Sequence, residues 1–297
     1  IYDILEPYSS PTGDLYKTGI AVGDYPVDHH HTKAPGPTYE TFPRIPAFTI
    51  PYGALVPATV NGLIVAEHSI SVTHMVNGCT RLQPCVMLTG QAAGAAAALC
   101  AIKGREPRAI AIRELQQALL DAGAMLVPTR DAAPGDWAFE EIQRVSLAGA
   151  MRSALIAQGW SGNRWEFAPD RASTLEEARE SLALAAGLAA LPPLEVDLAG
   201  GGALSRLQLV CAAWEMRGRP APAPRAALFS DVAETSPGFA AVQYAGEAGW
   251  LAGWAEPPEF RPDGAATRRE LAVVLDRALD PFGSLPVAIQ PEPRPVP

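Results

Sequence analysis

The residues whose types and spacing could do chemistry are concentrated between positions 62 and 99. Gly90-Gln91-Ala92-Ala93-Gly94 reads as the opening of a helix. Small residues at a helix start let another group approach the backbone closely. The free N–H groups there, with the helix dipole, suit a phosphate or a carbonyl-bearing ligand. Arg81, in the polar loop before this helix, supplies a cation for anionic groups. A packing role stands beside that reading, because Gly90 and Gly94 equally serve a buried helix lying close on a sheet. His29, His30 and His31 follow Asp28, and His74 sits in the polar loop. Adjacent residues on a strand point to opposite faces, so three in a row cannot converge on one ion, and no metal site is expected.

Holding these groups takes a strand, a loop and a helix. Residues 63–66 are a continuous apolar run of strand length, as for a strand covered on both faces. Residues 19–27 and 47–52 read as two more short strands. Residues 91–103 read as a helix with an almost wholly apolar surface, hence buried, which Gly104 and then Pro107 bring to an end. Residues 112–121 read as an amphipathic helix. No G-x-G-x-x-G fingerprint, which would hold the ADP half of a dinucleotide, occurs in the chain.

Bulk properties narrow the field. Lys plus Arg number 23 against 32 Asp plus Glu, a net charge of -9, which argues against nucleic acid as a main partner. The four cysteines form no C-x-x-C pair and lack zinc-ligand spacing. No apolar run reaches the length of a membrane span. The chain opens at Ile1 with a segment that reads like a domain interior, and the expectation is a carboxy-terminal fragment or a processed product.

Beyond Pro128 the chain turns alanine-rich and carries an internal repeat. Phe139 leads by helical spacing to Gly149, and Phe239 to Gly249. Phe167-Ala168-Pro169-Asp170 and Phe260-Arg261-Pro262-Asp263 follow. Each precedes, at one common offset, a Thr with an acid three residues on: Thr174 with Glu177, and Thr267 with Glu270. That is the capping box of a helix start, and Ser205 with Gln208 makes a third. Three second helices but two clear first helices result, as if the middle unit had lost its front half.

From about residue 19 to 128 the chain resembles the carboxy-terminal end of a family of FAD-dependent oxidoreductases that includes xanthan lyase-like proteins. The carrying blocks are YPVDHH (25–30), IPYGALVP (50–57), AEHSISVTH, NGCTRLQP and GQAAG within 63–94. The resemblance implies an α/β flavoprotein fold whose last strand, at 63–66, returns to the nucleotide-binding sheet. It also implies an FAD site to which Ala66, Glu67, Arg81, Gln83, Gly90, Gln91 and Ala92 contribute. Where the family commonly has Ala-Gly-Arg, this chain has Ala66-Glu67-His68. His30 and His74 are assigned to the substrate side of the flavin ring as acid, base or orienting groups, with a surface or packing role as the alternative for each.

The second part resembles S-layer homology repeats, which anchor bacterial proteins to cell-wall polysaccharide. Phe229-Ser230-Asp231-Val232, Gly249-Trp250-Leu251-Ala252-Gly253 and Thr267-Arg268-Arg269-Glu270 carry it. The resemblance implies a polysaccharide site of Arg206, Trp250, Thr267 and Arg268, with Leu175 standing where the first repeat would have its arginine. A degenerate helical module that only packs is the alternative. The expected architecture is an oxidoreductase fragment over 1–128, an all-α repeat domain over 129–284 and a Pro-rich tail over 285–297. The implied protein is a bacterial, secreted or envelope-associated flavin enzyme acting on a small organic, carbohydrate-related substrate. The rival is a non-enzymatic wall-anchoring or structural protein with a vestigial flavoprotein segment.

Overall fold

The computed structural model describes residues 16–28, 42, 44–157, 159, 162–193, 198, 200–223, 226–255 and 257–284. They fall into two units, one drawn from Ile1–Pro134 and Ser153–Glu166, the other from Gly135–Arg152 and Phe167–Leu285.

In the first unit, strands β1 (Gly19–Gly23) and β2 (Phe48–Pro51) pair antiparallel, with Gly23 opposite Phe48 and Gly19 opposite Pro51. Both lie within the segments predicted as strands, and β1 is shorter because Asp24 and Tyr25 leave the ladder. Helices α1 (His74–Thr80), α2 (Gln83–Lys103) and α3 (Ile112–Asp121) follow. The core gathers Ile20, Phe48, Ile50, Tyr52 and Leu55 with Leu115 and Leu119 from the apolar face of α3. Burying such side chains supplies the main drive for this unit, at about 1.5–3 kcal/mol for a large one. Tyr52 directs its hydroxyl to Pro107 O at 3.1 Å, and Gln116 Nε2 donates to Gly19 O at 2.8 Å, so these two buried polar groups are satisfied.

Several sequence expectations need correction here. Residues 63–66 form no strand: they are irregular, and Leu63 is 44% exposed. Val65 N–H still donates to Leu55 O at 2.8 Å, a single bond rather than a ladder. Helix α2 starts at Gln83 and not at Gln91, with Pro84 in its first turn, where a missing N–H costs nothing. Nor is it buried as a whole. One side packs on β1 and α3, while Met87 and Ile102 are 74% and 79% exposed. At 21 residues it is long and apolar enough, by length and composition alone, to cross a membrane, contrary to the reading that no run reached that length. The polar loop also holds a helix that was not predicted, α1, capped by Thr73 Oγ1 accepting from Val76 N–H at 3.3 Å.

The second unit contains helices α4 (Phe139–Ala148), α5 (Leu175–Leu188), α6 (Arg206–Met216), α7 (Phe239–Glu247) and α8 (Arg268–Val274). Helix α8 continues into a π-helical turn at Leu275–Leu279. The capping boxes of Thr174, Ser205 and Thr267 all form as predicted, and α4 and α7 are the two first helices. Ala168 and Arg261, equivalent in the repeat, share a left-handed backbone with φ of 56° and 61°. Leu271, Val274 and Leu275 are fully buried, and α8 with its π turn packs against α4, α5 and α6.

The repeat closes on itself through backbone hydrogen bonds. Ser173, Leu204 and Ala266 each precede an N-cap. Ser173 N–H donates to Ala266 O at 2.8 Å, Ala266 N–H to Leu204 O at 2.8 Å and Leu204 N–H to Ser173 O at 2.9 Å. One layer away, the first helical N–H of each unit reaches the next unit: Leu175 to Gly202 O, Arg206 to Gly264 O and Arg268 to Arg171 O, at 2.9–3.1 Å. Helix starts leave N–H groups without intrahelical partners. Here three starts satisfy one another in a pseudo-threefold ring.

Residues 153–166 fall within the all-α domain expected over 129–284. They form instead a hairpin of β3 (Ala154–Ala157) and β4 (Arg164–Glu166) that belongs to the first unit. Trp165 Nε1 donates to Ala47 O at 3.0 Å, and Arg130 N–H to Trp165 O at 3.0 Å.

Candidate functional site

Three of the sequence blocks of the first unit, YPVDHH, AEHSISVTH and NGCTRLQP, meet around Arg81. Its guanidinium pairs with Asp28 Oδ2 at 2.6 Å and also reaches Asp28 O. Its own carbonyl lies 2.9 Å from His68 Nε2. Asp28 N–H donates to Gly78 O, and a Cβ on Gly78 would lie 3.1 Å from Asp28 O, tighter than an ordinary contact, so the glycine eases this close approach of α1. Residues far apart in sequence, Asp28, His68, Gly78 and Arg81, are thereby locked into one patch. Sequence reasoning assigned Arg81 to a ligand and missed Asp28 as its partner, for which the sequence holds no local signal.

Glu67 follows half-buried Ala66 and stands exposed with φ of 60°. A non-glycine residue held there costs on the order of 1–3 kcal/mol, and such strain concentrates at sites that bind or react. Gln83 is exposed at the first turn of α2. His74 is the exposed first residue of α1, and His30 lies outside the described residues.

Gly90, Gln91 and Ala92 stand in the middle of α2, so they offer no helix-start N–H groups, and that basis for an anion site is withdrawn. Ala92 is fully buried and Gln91 exposed. The packing alternative fails as well, since a Cβ at Gly90 or Gly94 would meet nothing within 4 Å. The two glycines instead leave a bare, shallow strip on the outer face of the helix. What these residues offer a ligand is open space and apolar surface rather than free backbone donors.

The buried thiols nearby are not nucleophiles. Burial pushes Cys79 up to about 12 and raises Cys85, so neither is a thiolate at neutral pH.

In the helical unit the predicted polysaccharide residues sit at the junctions of the ring. Arg206 Nη2 pairs with Glu270 Oε1 at 2.6 Å, Nη1 donates to Phe260 O at 3.1 Å, and the guanidinium lies 5.3 Å from the Trp254 ring centroid. Arg268, only 8% exposed, repeats the pattern one unit on, with Glu177 Oε1 at 2.8 Å, Phe167 O at 2.7 Å and the Phe167 ring at 4.7 Å. At the remaining junction both charges are gone: Leu175 replaces the arginine and Gln208 the glutamate. The equivalent carbonyl, Leu198 O, is reached by Arg179 from one turn further along α5, at 3.4 Å. Thr267 spends its hydroxyl on Glu270 N–H at 3.2 Å. Trp250 is 4% exposed and meets Tyr244 edge to face.

Residues 3–119 match the family model described as FAD dependent oxidoreductase, and the cofactor of that family is FAD. The match covers the segment in which Asp28, His68, Gly78 and Arg81 converge. No curated protein matches this chain.

Proposed function

We propose that the first unit is the carboxy-terminal part of a flavin oxidoreductase domain of the xanthan lyase-like branch, borne by a bacterial protein held at the cell envelope. The family match over residues 3–119 supports its flavin oxidoreductase part. FAD, when bound, supplies hydride or electron transfer with an organic substrate. The chain's own contribution is positional. The Asp28–Arg81 pair pins the loop, Glu67 holds it in a strained turn, and the bare strip at Gly90 and Gly94 receives a flat group. A carbohydrate-related substrate is part of the proposal, with His30 and His74 on its substrate side. The test is the visible spectrum of the natural protein before and after addition of FAD. Flavin bands that report a bound, protein-shifted chromophore support the reading, and their absence after reconstitution removes it.

For the helical unit we propose an S-layer-homology-type module that binds wall polysaccharide. The pseudo-threefold ring and the matched arginines that open α6 and α8 support this reading. A second reading, a module that only packs, is favoured by one observation: Arg206 and Arg268 are already engaged by Glu270 and Glu177. Sedimentation with purified cell walls separates the two. Binding lost on Arg206→Ala or Arg268→Ala in a folded protein supports the anchor, and no binding by the unaltered protein leaves packing.

A further inference from the structure

A cleft of about 360 Å³ opens in the first unit beside the end of β1, away from the strip on α2. Its volume is near the lower end of the ~300–1,000 Å³ typical of small-molecule sites. Leu82, Leu88, Met125 and Pro128 form apolar walls, and the charged and amide groups are Asp24, Arg130 and Asn163, with Tyr25 and Cys85 also on the lining. The β3–β4 hairpin delivers Asn163, which is 1% exposed. Both of its amide hydrogens are spent, on Asp24 Oδ1 at 2.6 Å and Ile45 O at 2.8 Å. That fixes which end of the amide is which. Asn163 Oδ1 is then a buried acceptor with no hydrogen-bond partner. Leaving such an atom unsatisfied costs about 1–3 kcal/mol, which favours a donor brought to it.

The donor's chemistry follows from the lining. Asp24 beside Asn163 makes this an acceptor end with a formal negative charge. Arg130 is an exposed cation on the same cleft. Apart from Tyr25 and Cys85, the other lining side chains are apolar. The matching chemistry is an ammonium for Asn163 Oδ1 and Asp24, a carboxylate for Arg130 and a compact apolar body.

We infer that the cleft binds a free α-amino acid with an apolar side chain. Ammonium rather than hydroxyl is favoured because it brings three N–H donors to two acceptors and neutralises Asp24. Carboxylate and guanidinium are matched in planar geometry. The inference goes beyond the flavin reading and does not rest on it.

The test is titration calorimetry on the full chain without added flavin, using L-phenylalanine, 2-phenylethylamine and 3-phenylpropionate. L-Phenylalanine should bind at one site, at least about tenfold tighter than either compound lacking one charge. Asp24→Asn should weaken L-phenylalanine about tenfold while barely changing 3-phenylpropionate. Arg130→Ala should weaken L-phenylalanine and leave 2-phenylethylamine unchanged. Asp24 also holds the hairpin through Asn163, so its variant is checked by thermal melting. Leu88→Trp, which fills the cleft from a half-buried wall, should abolish binding independently. The inference is overturned by no saturable binding up to about 10 mM, by equal binding of the three compounds, or by binding indifferent to Leu88→Trp.

Discussion

Replacing Arg206 by Leu puts at the second junction of the ring what the first junction already has in Leu175. Arg206 is 17% exposed at its side chain and Glu270 6%, so this pair is largely out of water. Removing the arginine alone strands the Glu270 carboxylate and takes a donor from Phe260 O. Breaking a buried pair from one side costs about 3–5 kcal/mol. The residual exposure of Arg206, and the Thr267 N–H that still donates to Glu270 Oε2 at 3.0 Å, favour the lower end, about 3 kcal/mol. Adding Glu270→Gln removes the stranded charge while keeping an acceptor for Thr267 N–H, as Gln208 keeps one for Ser205 N–H at 2.9 Å. The double variant should return to within about 1 kcal/mol of the unaltered protein. A coupling of about 2 kcal/mol or more follows for the cycle. Urea unfolding followed by the far-ultraviolet helix signal measures all four proteins. Additive single effects, or a double variant no better than Arg206→Leu, would refute the claim that the first junction is a charge-free version of the other two.

Further outcomes follow from particular positions. Gly78→Ala drives a Cβ to 3.1 Å from the Asp28 backbone and should destabilise the first unit by about 1–3 kcal/mol. Gly90→Ala, in open space mid-helix, should instead stabilise it by about 0.5–1 kcal/mol while weakening FAD binding if the strip is a flavin wall. Thermal melts and flavin titration read the two effects separately, and a destabilising Gly90→Ala would contradict the bare strip. Thr174→Ala removes a cap from Glu177 N–H and should cost about 1 kcal/mol in urea unfolding. Asp276 pairs with Arg144 at 2.8 Å, yet burial raises it from 3.8 to about 6. A folded-state value above the unfolded one means its contribution is full below about pH 4 and is lost as pH rises through 6, by at most about 3 kcal/mol. Asp276→Asn should flatten the stability profile between pH 4 and pH 6; an unchanged slope would exclude Asp276 as its source.

Local chemistry was legible where it is written in a few adjacent residues. Thr174, Ser205 and Thr267 with their partners three residues on marked three helix starts, because a capping box is satisfied within one turn. The amphipathic spacing of 112–121 placed α3 at its observed bounds. Helix α2 was misread because alanine and glycine give no periodic contrast, which hid eight residues of helix whose signal was Pro84. The run at 63–66 failed for a related reason: apolar residues alone do not name the strand that must pair with them.

The sequence by itself determined the repeat, its caps and the blocks that match an FAD oxidoreductase, since each is a pattern along the chain. Only the tertiary structure decided what those residues do. It joined three helix starts into one ring, turned two candidate ligand arginines toward Glu270 and Glu177, and set Asp28 on Arg81. It also brought Asn163 across 139 positions to Asp24. Such pairings depend on which surfaces meet when apolar faces are buried, and no window of sequence contains both partners.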